Sequence, residues 1–461
     1  MPDTTTTTLP QRLAQMDGDR LRRYADNLAF YSGDQWSATN RRNDRRLVFN
    51  YAKAIVDKTT SYLMTGLNVA VDPAGDTPDA QARARAAERA LAEVADQNQL
   101  DQLDFDTELD TAILGDGAYK VTWDAQERRV RVTAPDVQGL FAWWTGDDVS
   151  RVWRVCSRYT LDADSAGLLY GVKPRRAARL RTSAQQPGVE IVESWTADEF
   201  ELWAEGARID RRPNPYGFIP FVIYPNLREP KKFWGVSDLP PLREPVRERN
   251  RALSQLSMIL ELSGNPIAVL ENVTESRDIA VQPGAVWELP ERAKAYLLDL
   301  LQGGGVKLHA DYVDVIYRTL HDLGEAPRTA FGDNHTGLSG VALNVELDPL
   351  LKKIARKRLI RSAAYRKRNE MVLRILEQYA KPAVSYAPYR SRAVWGAVLP
   401  LDRSRLVEDE RVLVASGIHS RRRAADELGV EDPEAEFRRW LEEQSQAASS
   451  AADGHPVNSR T

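Results

Sequence analysis

The chain has 461 residues, 43% of them hydrophobic and 28% charged, with a formal net charge of −3. Its size implies more than one core, its composition is that of a globular protein, and its charge excludes a polycation built to coat nucleic acid. The single cysteine, Cys156, excludes an intramolecular disulfide and a cysteine zinc site.

A lone cysteine suits a reducing compartment, and with no histidine nearby in sequence Cys156 is expected to be buried packing. No run approaches the roughly 18 apolar residues of a membrane span. The start, MPDTTTTTLP, lacks the basic and apolar regions of a signal peptide, so the cytoplasm is the expected compartment.

Residues 1–10 are threonine-rich and expected to be disordered. Apolar positions at helical spacing predict one helix over Gln11–Tyr31 and another over Leu47–Leu63, ending near Gly66. Asp79–Gln97 is alanine-rich and helical by propensity, and Asp104–Leu114 is a weaker helix. Short runs rich in β-branched and aromatic residues then predict strands at Tyr119–Trp123, Arg129–Thr133, Val152–Tyr159, Gly188–Trp195 and Glu199–Trp203. Most of the eleven tryptophans lie between Trp123 and Trp287 and are expected to fill this β region.

From Asp238, read as an N-cap before Pro240 and Pro241, a helix runs to Gly264. Its Arg243, Arg247, Arg249 and Arg251, interleaved with Glu244 and Glu248, read as a solvated or subunit-contacting face. A compact insert follows, with strands at Ile267–Leu270, Ala285–Leu289 and Ala295–Leu300, closed by Gly303–Gly305. A second helix spans Lys307 to about Leu323, and a long one Val341–Tyr379. Within the latter, Lys352–Arg368 carries nine basic residues and no acidic one, and the apolar stripe weakens there, which reads as a bend or a solvent-lined stretch. Val384–Leu399 reads as a strand returning to the β region, Arg403–Gln444 as short helices joined at Gly417 and Gly429, and Ser445–Thr461 as disordered.

Three chemistries compete for the glycine-rich segment and its neighbours. A phosphate-cradling loop needs Gly-x-x-x-x-Gly-Lys followed by Ser or Thr. Gly332-Asp333-Asn334-His335-Thr336-Gly337 has the first spacing, but Leu338 stands where the lysine belongs, and Gly303–Lys307 lacks the hydroxyl. The histidines at 309, 321, 335, 419 and 455 form no metal-binding spacing. Gly417–Val430 resembles the start of a helix-turn-helix, yet the next helix begins Glu431-Asp432-Pro433-Glu434, which phosphates would repel. A helical hairpin packed in an assembly is the better reading there.

The order of parts resembles the portal proteins of tailed bacteriophages, of the long-tailed type, over roughly residues 20–445. The resemblance is carried by Tyr31-Ser32-Gly33-Asp34, Asn50 with Ile55-Val56-Asp57, Tyr62–Gly66, Gly115–Tyr119 and Trp234–Leu239. The strongest element is Leu338–Leu343 followed by Leu347 and Pro349-Leu350-Leu351, and Ile418-His419-Ser420 with Gly429–Pro433 and Glu436 matches further on. The collinear order is the specific part of the signal.

The resemblance implies an α+β portal-protein fold: an α/β wing over 11–236, a two-helix stem at 237–263 and 307–325, a small β-containing clip at 264–306, a tunnel loop at 326–340, a long kinked helix at 341–380, a wing return at 381–400 and a helical C-terminal crown at 401–445, before a tail at 446–461. It implies a non-enzymatic homo-oligomeric ring of about a dozen subunits at one capsid vertex of the virion, without cofactor or metal, through which double-stranded DNA passes. Its implied partners are the terminase large subunit, the head–tail connector or adaptor, and the major capsid and scaffolding proteins, with no membrane. The alternatives are a magnesium-dependent nuclease or ATPase acting on phage DNA and a helix-turn-helix regulator.

The implied tunnel-loop residues are Arg328, Gly332, Asp333, Asn334, His335, Thr336, Gly337, Ser339 and Gly340. Formal charge in Glu325–Gly340 is limited to Glu325, Arg328 and Asp333, which suits a collar that must not grip sliding DNA. The glycines remove side-chain barriers to loop rearrangement. For Lys352, Lys353, Arg356, Lys357, Arg358 and Arg361 two expectations stand: pairing with a neighbouring subunit's carboxylates, which is favoured, or facing DNA.

Overall fold

The structure is a computed structural model and describes residues 8–36, 46–172, 188–264, 267–272, 292–298, 305–332, 340–399, 403–430 and 433–452. It divides into two compact units, residues 1–396 and 397–461.

The first unit begins with two helices, α1 (Leu9–Gln15) and α2 (Gly18–Ser32), where periodicity suggests one. The break is Asp17, at φ 58°, whose carboxylate accepts from Arg20 Nη2 at 3.0 Å. Leu9 and Leu13 pack against Phe141 and Cys156, so order begins before residue 10. Helix α3 (Tyr51–Leu63) starts later than expected because Asn50 caps it, accepting from Lys53 N at 3.1 Å. The preceding residues run extended along a later helix: Phe49 N donates to Asn250 Oδ1 and Leu47 N to Ser254 Oγ. Strand β1 (Leu67–Ala70), α4 (Pro78–Asn98, capped by Thr77) and α5 (Leu100–Leu114) follow.

The β region holds β2 (Asp116–Asp124), β3 (Arg129–Thr133), β4 (Leu140–Thr145), β5 (Asp148–Leu161), α6 (Ala163–Tyr170), β6 (Val189–Trp195), β7 (Glu199–Ala204), β8 (Ala207–Pro213) and β9 (Phe221–Pro225). Strands β4 to β8 form an antiparallel meander, and β2 pairs with β3 on one side and β9 on the other. Sequence patterning missed β4, β8 and β9. Trp195 is buried in this region as expected, but Trp123 and Trp144 cover it by stacking on Tyr379 and Phe233, and Trp153 is 47% exposed.

Helices α7 (Pro240–Gly264) and α8 (Gly305–Gly324) bracket a hairpin of β10 (Ile267–Glu271) and β11 (Lys294–Leu298). The strand expected at Ala285–Leu289 lies outside the described residues. Helix α9 (Gly340–Tyr379) is continuous through Pro349. Its C-terminal half packs with α4 on the β3-β2-β9 sheet, while α2, α3, α5 and the start of α7 enclose the other main core. Strand β12 (Arg392–Trp395) pairs with β1 rather than with either larger sheet.

The second unit has α10 (Arg403–Ala415), α11 (Arg421–Glu427) and α12 (Pro433–Ala452). Gly417 and Gly429 separate them at φ 74° and 77°, as expected of the αL turns that end helices. Helix α12 continues through 445–452, which composition suggested was disordered. Arg421 and Arg422 lie over the stacked Trp440 and Phe437 rings, at 4.2 and 4.6 Å, so these cations join the two helices of a hairpin.

At the start of β2 the buried Asp116 accepts from Tyr24 Oη at 2.5 Å and Gly235 N at 2.8 Å. Burial pushes its carboxyl up to about 6, against the lowering effect of those bonds and of Arg20. An unfolded aspartate titrates near 4. Between about pH 4 and 6 the folded chain therefore holds a proton that the unfolded chain has released, and stability falls as pH rises through that window, by about 3 kcal/mol in all. The Asp116→Asn chain is expected to lack this slope in urea titrations from pH 4 to 7; an unchanged slope would assign it to another group.

Candidate functional site: the loop base and the charged spine behind it

Helix α8 ends at Gly324, where an added Cβ would come within 3.3 Å of Ile55 and Leu242. The chain then turns through Glu325 at φ 50° and a 3-10 turn, Arg328–Phe331, to Gly332 at φ 87°. His321 fixes this turn from below. Its Nδ1 lies 2.6 Å from Ala326 O, so Nδ1 carries the proton it donates there. The ring sits edge-on between Tyr317 and Phe331, and burial, with Arg328 and Arg249 nearby, lowers its pKa and keeps it neutral.

Arg328 lies over Tyr317 at 5.0 Å and within 3.6 Å of Asp314. It is thus packed into the base of the glycine-rich loop. Arg249 stacks between Tyr51 and Tyr317, at 3.7 and 4.8 Å, and Arg243 donates to Asn27. These two arginines of α7 point inward, unlike Arg247 and Arg251, which pair with Glu244 and Glu248 on the surface as expected. Asp333, Asn334, His335, Thr336, Gly337 and Ser339 lie outside the described residues, and Gly340 begins α9.

Behind the loop, one face of α9 carries Lys353, Lys357, Arg361 and Arg368 at spacings of four, four and seven, all buried. Lys357 Nζ donates to Asp238 Oδ2 at 2.6 Å, and Lys353 Nζ donates to Gly324 O at 2.9 Å and lies 3.7 Å from Asp238 Oδ1. Arg361 forms a two-pronged pair with Glu108, at 2.8 and 2.7 Å, and also donates to Asn226 O and Oδ1. Arg368 pairs with Asp104. Burial alone would raise the Asp238 carboxyl, but Lys353, Lys357 and the Asn226 amide hold it well below the usual range.

Both expectations for the basic stretch therefore fail at the three residues that are buried. Lys353, Lys357 and Arg361 are enclosed with carboxylates of their own chain. Arg358 donates to the carbonyls of Leu63 and Gly396 and lies over Trp395. The physical reason is desolvation: a buried cation needs a partner in place within the fold. Asp238, read as a helix cap, is that partner, and Ser237 Oγ instead accepts from Leu239 N. Lys352 and Arg356 remain 75% and 57% exposed, beside Asp348 and Glu325 respectively.

Among the described residues, this arrangement joins the base of the loop, through Lys353 and Gly324, to the charged face of α9. A family model for phage portal proteins of the SPP1 Gp6-like type matches residues 12–450. The chain belongs to that family. No curated protein matches it.

The portal family sets the chain in a bacteriophage, at the capsid vertex, in DNA packaging. Among the described residues of this portal chain, no helix is long and apolar enough to cross a membrane. Sequence reasoning overlooked Asp104, Glu108 and Asp238 as partners of the basic stretch. A signal was present: Asp104 and Glu108 are four apart on the side of α5 that also carries Leu100, Thr107 and Thr111, a buried face on which two carboxylates require cations.

Proposed function

We propose that this portal chain assembles into a closed ring of about a dozen subunits whose central channel conducts double-stranded DNA, driven by a separate ATP-hydrolysing terminase. In this reading α7 and α8 are the stem, the β10–β11 hairpin belongs to the clip that docks terminase and later the head–tail connector, and 326–340 is the tunnel loop. Residues 11–236, the N-terminal helices with the β region, are the wing, and residues 401–445 the crown. Major capsid and scaffolding proteins surround the ring in the virion, and assembly takes place in the host cytoplasm.

The observation that carries this reading is an apolar stripe left uncovered on α8. Leu308, Tyr312, Val315 and Leu323 are 72%, 46%, 58% and 49% exposed, and they continue the apolar face whose Ile316 and Leu320 are buried. Exposed apolar rows of this kind mark an interaction surface, and a ring of stems covers them. A neutral His321 and a packed Arg328 support the tunnel-loop assignment, since they leave few charges at the loop base to hold phosphate.

Negative-stain imaging of the purified chain tests the reading: rings with a central hole are expected, and no ATP hydrolysis or DNA cleavage without terminase. Monomers, or either activity in the isolated chain, would sink it in favour of the enzyme alternative. The Leu308→Glu/Val315→Glu chain is expected to keep its fold, both positions being exposed, and to lose ring assembly in mass photometry.

A further inference from the structure

Strand β9 is an edge. It pairs with β2 on one side, and among the described residues no strand pairs with it on the other. Val121 N donates to Pro220 O at 3.0 Å, which sets the register. By the alternation of an antiparallel ladder, the peptide groups of Val222 and Tyr224 then face β2, and those of Phe221 and Ile223 face away.

They face a cleft of about 220 Å³ whose walls include Val152, Phe233, Ile360 and Ala364. A space of about 150 Å³ already accepts a benzene ring. Arg228, Lys232 and Lys367 also line the cleft. Lys232 pairs with Glu229, whereas Arg228 and Lys367 make no ion pair among the described residues. Burial lowers the pKa of Lys367, against the pull of Glu370, while much of its side chain stays exposed at the mouth of the cleft.

A complementary surface lies elsewhere on the same chain. Asp104 and Glu108 turn one side of α5 toward α9, which leaves Phe105, 38% exposed, with the exposed Asp106 and Asp110 on the outer side. No cation among the described residues forms an ion pair with either aspartate. Burial first, then Asp136 and Asp106, raise the Asp110 carboxyl.

We infer that the outer face of α5 in one subunit docks in the β9-edge cleft of the next, with Phe105 entering the cleft and Asp106 and Asp110 meeting Arg228 and Lys367. The inference rests on the ring reading above and specifies one of its contacts. The occupant is a second copy because the chain carries both halves of the match, each uncompensated. Two different patches that fit each other make a heterologous contact, the kind that closes into a ring. An aromatic anchor rimmed by charge is the usual anatomy of such a contact.

Charge exchange tests it. Arg228→Glu/Lys367→Glu and Asp106→Lys/Asp110→Lys are each expected to keep the wild-type thermal melt and to reduce rings to monomers at least tenfold in mass photometry. The chain carrying all four changes is expected to recover rings. If wild-type chain forms rings and both pairs form them equally well, this contact is wrong while the ring reading stands; if wild-type chain forms none, the ring reading itself fails.

A Phe105→Cys/Val152→Cys chain adds a geometric check. Native Cys156 is buried and its thiol is pushed up to about 11, so it stays out of the chemistry. Mild oxidation is expected to give a ladder of disulfide-linked oligomers, and monomer alone would overturn the inference.

Discussion

Replacing Arg361 by alanine is expected to cost the chain about 3–5 kcal/mol of unfolding free energy, the range for removing one partner of a buried ion pair. Arg361 and Glu108 are both 0% exposed, and the deletion leaves the Glu108 carboxylate without its two-pronged partner. It also removes the donors to Asn226 O and Oδ1 and the cation that lies 5.6 Å from the centre of the Tyr224 ring. The double change Glu108→Leu/Arg361→Met removes the stranded charge and is expected to recover part of the loss. Recovery stays incomplete because Asn226 keeps polar atoms that nothing then satisfies. Urea titrations of the three chains decide the matter. A single-variant loss under about 1 kcal/mol would mean that the site relaxes or admits water, and that the pair is not what joins α9 to α5 and to the turn after β9.

That junction was the least legible part of the sequence, for a physical reason. Helical periodicity is local, and it located α7, α8 and α9 within a few residues because each buries a face repeated every turn, while propensity located α4. The pairing of Lys357 with Asp238 spans 119 residues and that of Arg361 with Glu108 spans 253, so no local pattern reports either. A run of cations without anions resembles a solvated or partner-facing surface until the fold supplies carboxylates from two other elements.

The missed strands have reasons of their own. In Leu140–Thr145 the buried residues come as a run rather than in alternation, Ala207–Pro213 is polar because it is the meander's exposed edge, and Phe221–Pro225 lies directly after one proline and ends in another. The break at Asp17 depends on a left-handed residue that composition does not announce. The glycine-rich loop stood out in sequence, but the residues that fix its base, His321 and Arg249, lie on helices whose periodicity marked them only as ordinary helix positions.

The sharpest contrast is between two adjacent cations of α9. Lys357→Glu puts a carboxylate where an ammonium now donates to Asp238 at 2.6 Å, in a site where both side chains are 1% exposed. Two buried anions then share Lys353 alone, and the loss is expected to exceed about 5 kcal/mol, enough to remove most or all of a domain's stability. The expected result is insoluble chain, or chain without a cooperative melt. Arg356→Glu makes the same charge change one residue earlier, at a side chain 57% exposed and paired with a Glu325 that is itself 40% exposed. Screening limits that pair to about 1 kcal/mol, so the variant is expected to fold with a melt close to wild type.

Because it folds, Arg356→Glu with Lys352→Glu can answer what the buried cations cannot. If these two exposed residues reach a neighbouring subunit, the favoured reading, the doubly reversed chain folds but fails to form rings. If they face the channel, rings form and terminase-driven packaging stalls. Equal melts for Lys357→Glu and Arg356→Glu would contradict the charged spine itself, since the whole difference between them is burial.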